Sequence, residues 1–499
     1  MEIQFALPPG LYHSGTVRQS AGRWYAGNLV RWTGGVLRPI YGWQAHSSSA
    51  VTGSARAMVT WRDNSNNSWI GVGTHNHLYV MDRAGGLYDI TPSGLTAGRA
   101  DASFATGYGG STYGTGTYGG PRPDTTNILD ATVWSLDTWG QNLVGCNPDD
   151  TFIYQWVAPT TGTIAAKVTN APTADALVVT SERFLFAMGT TDHRTVSWCD
   201  QQNLTTWTPA VTNQAGSFPL QTFGRLMCGK RLSTGTGLWT DTDLWLAQYI
   251  GGTLVYGFTK AGNGCGTISR QSVIVNNAQA AWMGPQGFFL YNGSVSPLEC
   301  DVQDAVFANL NRAQASKIYG VLNSQFGECW WFYPSAGSTE IDSCVSWNYV
   351  DNIWMLHSFG RTCGADAGGA FTFPLAVDPA TNTVLEHETG FSYGGATPYV
   401  ESGPLEFAPL TQSYTGQGAK IWQASRFIPD ELIEGQVNAT FKAQYYPNGP
   451  EYSFGPYTLK PSTDVRFSAR QVRLRLTGVG GSDWRFGKGR LEVAGSSDR

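Results

Sequence analysis

The stretch Ser272–Leu298, SVIVNNAQAAWMGPQGFFLYNGSVSPL, packs four short apolar runs into 27 residues. They are Ser272–Val275, Ala280–Met283, Gly287–Tyr291 and Val295–Leu298, parted by Asn, Gly and Pro. Apolar runs this short, rich in β-branched and aromatic residues and bounded by turn formers, read as strands. Four in succession make a small antiparallel sheet. Such a sheet is stabilised by covering its faces with copies of itself around a closed ring.

Similar groups lie on both sides. Upstream are Arg56–Arg62 with Ser68–Gly73, Leu78–Asp82 and Leu87–Ile90, then Ala131–Leu136 with Gln141–Gly145 and Thr151–Trp156. A third group runs from Ala176–Thr180 through Arg183–Met188 and Thr195–Cys199 to Trp207, and a fourth joins Arg225–Lys230, Asp243–Gln248 and Leu254–Phe258. Downstream are Ile318–Leu322, Glu328–Tyr333, Cys344–Asn348 and Ile353–His357, followed by a weaker pair, Phe371–Val377 and Val384–Glu388. The groups recur about every 40–50 residues, the period of propeller blades. The expected fold is all-β, with a β-propeller of six or seven blades over residues 51–394. Three aromatic-flanked segments, Trp134–Trp139, Trp198–Trp207 and Trp347–Trp354, read as hairpins whose rings pair across strands.

The composition agrees. Only 14% of residues are charged, against a usual value of about 25%, whereas Gly 61, Trp 19, Tyr 22 and Phe 23 describe a turn-dense, aromatic-rich chain. From about residue 395 the texture changes. In Gln471–Leu476, Val472, Leu474 and Leu476 alternate with Gln471, Arg473 and Arg475, so one face is apolar. Residues 395–499 are expected to form an antiparallel β-sandwich. Residues 107–120, GYGGSTYGTGTYGG, are low-complexity. They read as a loop or as an inter-subunit arm anchored by Tyr108, Tyr113 and Tyr118; tyrosine enrichment at interfaces favours the arm.

Residues 1–62 hold six Arg, no Lys and one acid, and residues 461–490 hold seven basic residues against two acids. Each end is therefore about +5, and the rest of a chain of net charge −5 sums to about −15. Two readings stand together: the basic ends pack on the acidic body, or they form a docking collar for another subunit. On the second reading residues 1–50 are an Arg-rich docking segment, with Arg18, Arg23, Arg31 and Arg38 at the interface and Arg473 and Arg475 at the other end.

No basic segment followed by an apolar stretch opens the chain, so no secretory signal is expected. No apolar run reaches the 18 residues of a membrane span. The eight cysteines lack metal spacing and are expected to be buried thiols.

Several pieces resemble one family. Leu11-Tyr-His-Ser-Gly-Thr16, Gly22-Arg-Trp-Tyr-Ala-Gly-Asn-Leu-Val-Arg-Trp32 and Leu37-Arg-Pro-Ile-Tyr-Gly-Trp43 look like the start of short-tailed bacteriophage (podovirus) tail nozzle or tail hub proteins, also called packaged-DNA stabilisation proteins. The Gly/Tyr arm, Gly262-Asn-Gly-Cys-Gly266 with Trp282–Phe288, and the ending Arg470–Val493 resemble them too. The resemblance implies a non-enzymatic virion protein, assembled in the host cytoplasm, that forms a sixfold homo-oligomeric ring in the tail. That ring would sit under the head-tail adaptor, anchor tail fibres or spikes, retain the packaged genome and enclose the channel through which double-stranded DNA leaves. A weakly acidic wall suits DNA that slides without sticking, since phosphate neutralisation by Lys and Arg is what creates affinity.

Other chemistry is thin. His75 and His77 lie on one face if the segment is a strand, but no third metal ligand is in reach. Ser197–Asp200 ahead of Trp207 faintly resembles the Asp-box turn of sialidase propellers, itself a structural staple. Gly262–Gly266 lacks the strand-to-helix setting of a phosphate cradle. Glu328, Asp342 and Asp351 could supply a glycosidase pair, and Cys265 and Cys329 have no His placed to activate them. No cofactor or metal is expected. The competing functions are a glycan-degrading propeller enzyme and a monomeric propeller scaffold.

Overall fold

The computed structural model describes residues 2–107, 122–277, 279–406, 421–446 and 448–495. Among them, seven four-stranded antiparallel sheets form the blades of a β-propeller. Blades 1 to 6 take consecutive stretches: 55–89, 135–167, 176–219, 226–263, 273–298 and 319–357. Blade 7 joins Gly364–Ala365, Leu375–Val377 and Thr383–His387 to an outer strand from the other end of the chain, Trp43–Ala50. Glu386 faces Gln44 and His387 faces Trp43 in that pairing. The innermost strands follow one another around the axis, and that of blade 7 returns to that of blade 1.

The period-2 pattern is erased where blades cover both faces of a sheet. Ser68–Thr74 in blade 1 and Glu328–Tyr333 in blade 6 are buried at every position, as expected for strands packed on two sides. The outermost strands Gly216–Pro219 and Val295–Leu298 are largely exposed. This is why Gly216–Pro219, polar and Gly-led, escapes sequence reading while Trp207 does not serve as a strand.

Tryptophan and glycine are paired for packing between blades. A Cβ on Gly73 would come within 2.6 Å of the Trp134 ring, and one on Gly229 within 2.5 Å of Val178 in blade 3. Several indole N–H groups reach into the preceding blade: Trp134 donates to the Thr74 carbonyl at 2.7 Å and Trp331 to that of Ser272 at 2.8 Å. The bulky ring fills the gap opposite a missing side chain, and its one polar atom is satisfied.

Of the three expected aromatic hairpins, one has paired rings. Trp347 and Trp354 are register partners with ring centroids 5.9 Å apart. Trp134 and Trp139 bracket one strand, Ser135–Trp139, instead of a turn. Trp207 sits in the loop after Thr195–Trp198, its N–H donating to the Leu204 carbonyl.

The second body is a β-sandwich. Its five-stranded sheet runs Trp24–Asn28, Tyr399–Ser402, Gln471–Gly478, Val437–Gln444, Tyr452–Thr458; its four-stranded sheet runs Glu2–Phe5, Gly489–Gly495, Trp422–Ile428, Thr463–Ala469. Val472, Leu474 and Leu476 point inward as the alternation requires. The expected boundary at residue 50 needs correction. Residues 1–50 are not a segment outside both bodies: Glu2–Phe5 and Trp24–Asn28 complete the sandwich, and Trp43–Ala50 completes blade 7. One apolar core, including Trp24, Trp32, Trp331, Trp354, Leu474 and Trp484, runs from the sandwich into blades 5 and 6.

Within the sandwich, Glu431 is poorly accommodated. Neither carboxylate oxygen makes a well-formed hydrogen bond, and burial, reinforced by the nearby Glu434, pushes its carboxyl up to about 7 against the opposing Gly435 and Gln436 amides. A carboxyl raised in the folded state contributes stability that is complete below its unfolded value and lost as pH rises through the folded one. Glu431→Gln is therefore expected to raise the Tm by a few degrees at pH 8 and to leave it unchanged near pH 4, as thermal melts across that range would show.

Candidate subunit interface

The basic residues expected at an interface bond within the chain. Arg31 lies on the hairpin Val30–Thr33/Val36–Pro39, is fully buried, and is a correction to the docking reading, because another subunit cannot reach it. Its guanidinium binds Glu388 at 2.6 and 2.8 Å and Glu328 at 2.9 Å, and lies over the Phe326 ring at 3.8 Å. Arg23 pairs with Asp301 at 2.9 Å over Tyr12, and Arg38 with both oxygens of Asp483 at 3.0 Å. Arg473 reaches Glu401 at 2.9 Å and also contacts Glu451, while Arg475 reaches Glu401 at 3.3 Å and covers the Tyr399 ring. Arg18, 59% exposed, is 3.6 Å from Glu406. The charge asymmetry is thus in large part internal: the basic N-terminal segment meets Asp301, Glu328 and Glu388 of the acidic body.

Tyr108, Tyr113 and Tyr118 lie outside the described residues. The stem that carries them is described. Ser103–Gly107 and Arg122–Leu129 pair as a two-stranded ribbon between blades 1 and 2, with no third strand among the described residues. Phe104, Ile128 and Leu129 are about 40% exposed on it. Its base is fastened to the segment between blades 5 and 6: the Ala102 amide donates to Gln314 Oε1 at 2.9 Å, Gln314 Nε2 donates back to the Ala102 carbonyl at 2.9 Å, and the Ala131 amide donates to Ser316 Oγ at 3.1 Å. The ribbon was not legible in the sequence because Arg122–Leu129 lacks an apolar pattern.

A second projection was missed altogether. The outer strands of blade 4, Asp243–Gly251 and Val255–Asn263, are nine residues each. They lift Ile250 and Leu254, 56% and 71% exposed, to a tip turned by Gly251 and Gly252 at positive φ. Phe218 of blade 3 stacks on Phe258 beneath it, at 4.6 Å.

His75 and His77 occupy the turn after Ser68–Thr74, not a strand face; His75 Nδ1 accepts from the Ser54 amide and His77 stacks on Tyr79. Asp200 Oδ1 accepts from the Gln214 amide and staples its loop. Glu328 belongs to the Arg31 cluster, Asp342 accepts from the Ser335 amide and hydroxyl, and Asp351 lies in the turn before Ile353–His357. Gly264 takes φ +68° in a turn after blade 4. All eight cysteines are free and seven are buried; burial raises the Cys265 and Cys329 thiols, away from nucleophilic use. Among the described residues no group of three or more His, Cys, Asp and Glu could hold a metal, and no helix is long and apolar enough to cross a membrane.

No family model and no curated protein matches the chain. Similar solved structures include virginiamycin B lyase from Staphylococcus aureus, 7% identical, covering 70% of this chain and 99% of that one with a TM-score of 0.44. The WD40 domain of Neurospora crassa Pan2 is 9% identical over 69% of this chain and 95% of its own, with a TM-score of 0.39. The N-terminal domain of Nup159 is 10% identical over 70% and 96%, with a TM-score of 0.38. The protein is a seven-bladed β-propeller fused to a β-sandwich.

Proposed function

We propose that this chain is a structural subunit of a short-tailed phage tail nozzle. In this reading it forms a ring below the head-tail adaptor, holds fibres or spikes and lets DNA pass without base recognition. The observation that carries the reading is the ribbon Ser103–Gly107/Arg122–Leu129. Beyond its fastened base the ribbon has no third strand among the described residues, and a two-stranded ribbon displaying Phe104, Ile128 and Leu129 is marginal in water unless a neighbour covers it. The sequence resemblance to tail nozzle proteins supplies the identity of that neighbour, a second copy. The intrachain bonds of Glu328 and Asp342 favour this reading over a glycan-degrading enzyme.

Mass photometry and negative-stain images of the purified protein are expected to show rings, six copies in the closed form. Replacing residues 104–128 with a short Gly/Ser link is expected to give monomers that melt as the parent does. A parent that stays monomeric at high concentration, or that releases reducing sugar from host polysaccharide, would overturn the proposal.

A further inference from the structure

The propeller axis holds a cavity of about 220 Å³. It is lined by inner strands of blades 1 to 4, among them those of the facing blades 1 and 4, and by the residues just ahead of blade 5. Its charges are unequal: Lys230, Arg231 and Arg270 against Asp137 alone. Asp137 is already engaged, accepting from Arg231 at 2.9 Å and from the Val179 amide at 2.8 Å.

Arg270 and Gln271 close one end. Gln271 Nε2 reaches across to the Trp134 carbonyl at 2.9 Å. Arg270 Nη1 donates to the carbonyls of Asp175 and Met227 at 3.1 and 3.3 Å, and the guanidinium has no carboxylate within ion-pair distance among the described residues. The Asp175 carboxylate is bonded to His193 instead. Lys230, part-buried on the cavity wall, likewise has no ion pair or side-chain hydrogen bond among the described residues. Both side chains are only part-buried, and like charges that line one cavity repel unless an anion lies between them. The field is felt by the neighbouring Cys228 thiol, which burial pushes up to about 11 while Lys230 and Arg270 pull against it.

We infer that the axial cavity is a binding site for a small multivalent oxyanion of the phosphate class, held between Arg270 at the closed end and Lys230 on the wall. The site is too small for a nucleic-acid strand and independent of whether the chain assembles into a ring. Arg270 would offer a planar fork for two oxygens and Lys230 a point charge for a third.

Calorimetric titration of the full-length protein with inorganic phosphate, at constant ionic strength set by chloride, tests it. Saturable binding of one phosphate per chain is expected, weakened at least tenfold in Lys230→Met and strengthened in Asp137→Asn, which removes the competing carboxylate. Arg270→Gln is expected to abolish binding; should it fail to fold, the Lys230 and Asp137 variants decide the matter, because neither side chain is needed to close the cavity. No saturable response in the parent, or equal affinity in Lys230→Met, would overturn the assignment.

Discussion

Deleting residues 1–50 is expected to unfold the propeller and the sandwich together. The segment supplies the outer strand of blade 7 and one strand to each sandwich sheet. Without Trp43–Ala50, Thr383–His387 becomes an open edge and the ring loses the pairing that ties its last blade to the start of the chain. Without Trp24, the core shared with blade 6 opens as well. The truncated chain should be recovered as insoluble material or as a species lacking near-ultraviolet dichroism. A docking segment predicts the opposite outcome, a folded protein with only its assembly impaired. A soluble truncation with the parental melting curve would show that residues 1–50 are not structural.

Arg31→Ala is the single substitution with the largest expected effect. It leaves Glu328 and Glu388 buried without their shared cation, and breaking a buried ion cluster by removing one partner costs about 3–5 kcal/mol. The loss should appear as a Tm lower by several degrees. Its pH dependence follows from Glu328, whose carboxyl burial raises even with Arg31 present. A carboxyl raised in the folded state contributes stability that is present at low pH and lost as pH rises through that value. The deficit of Arg31→Ala should therefore be greatest at alkaline pH and shrink on acidification, as protons replace the guanidinium. Adding Glu328→Gln and Glu388→Gln should recover part of the loss. A deficit that does not vary with pH would place its cause in packing against Phe326 instead of in charge.

Much of the propeller was legible along the chain because each blade is built from neighbours in sequence. The runs in Ser272–Leu298 correspond to the four strands of blade 5, and their turns are chosen by Asn and Gly at short range. Strands that defied the pattern did so for local reasons. Gly235–Thr240 in blade 4 is Gly/Thr-rich, and Gly216–Pro219 is an exposed outer strand. The ribbon and the blade 4 tip were not legible in the sequence. Nothing in Arg122–Leu129 or in the blade 4 tip has the periodicity by which a strand announces itself.

The amino-acid sequence by itself determined the all-β class, the blade period, the inward face of Gln471–Leu476 and the burial expected of the cysteines. These depend on side-chain alternation and turn chemistry within a few residues. Only the tertiary structure decided that there are seven blades, that residues 1–50 belong to both bodies, and that the two basic ends find many of their partners at home. Arg31 and Glu388 are 357 positions apart, and Gln44 and Glu386 are separated by 342. No local pattern records such a pairing, because it forms only once the ring has closed and brought the two ends of the chain side by side.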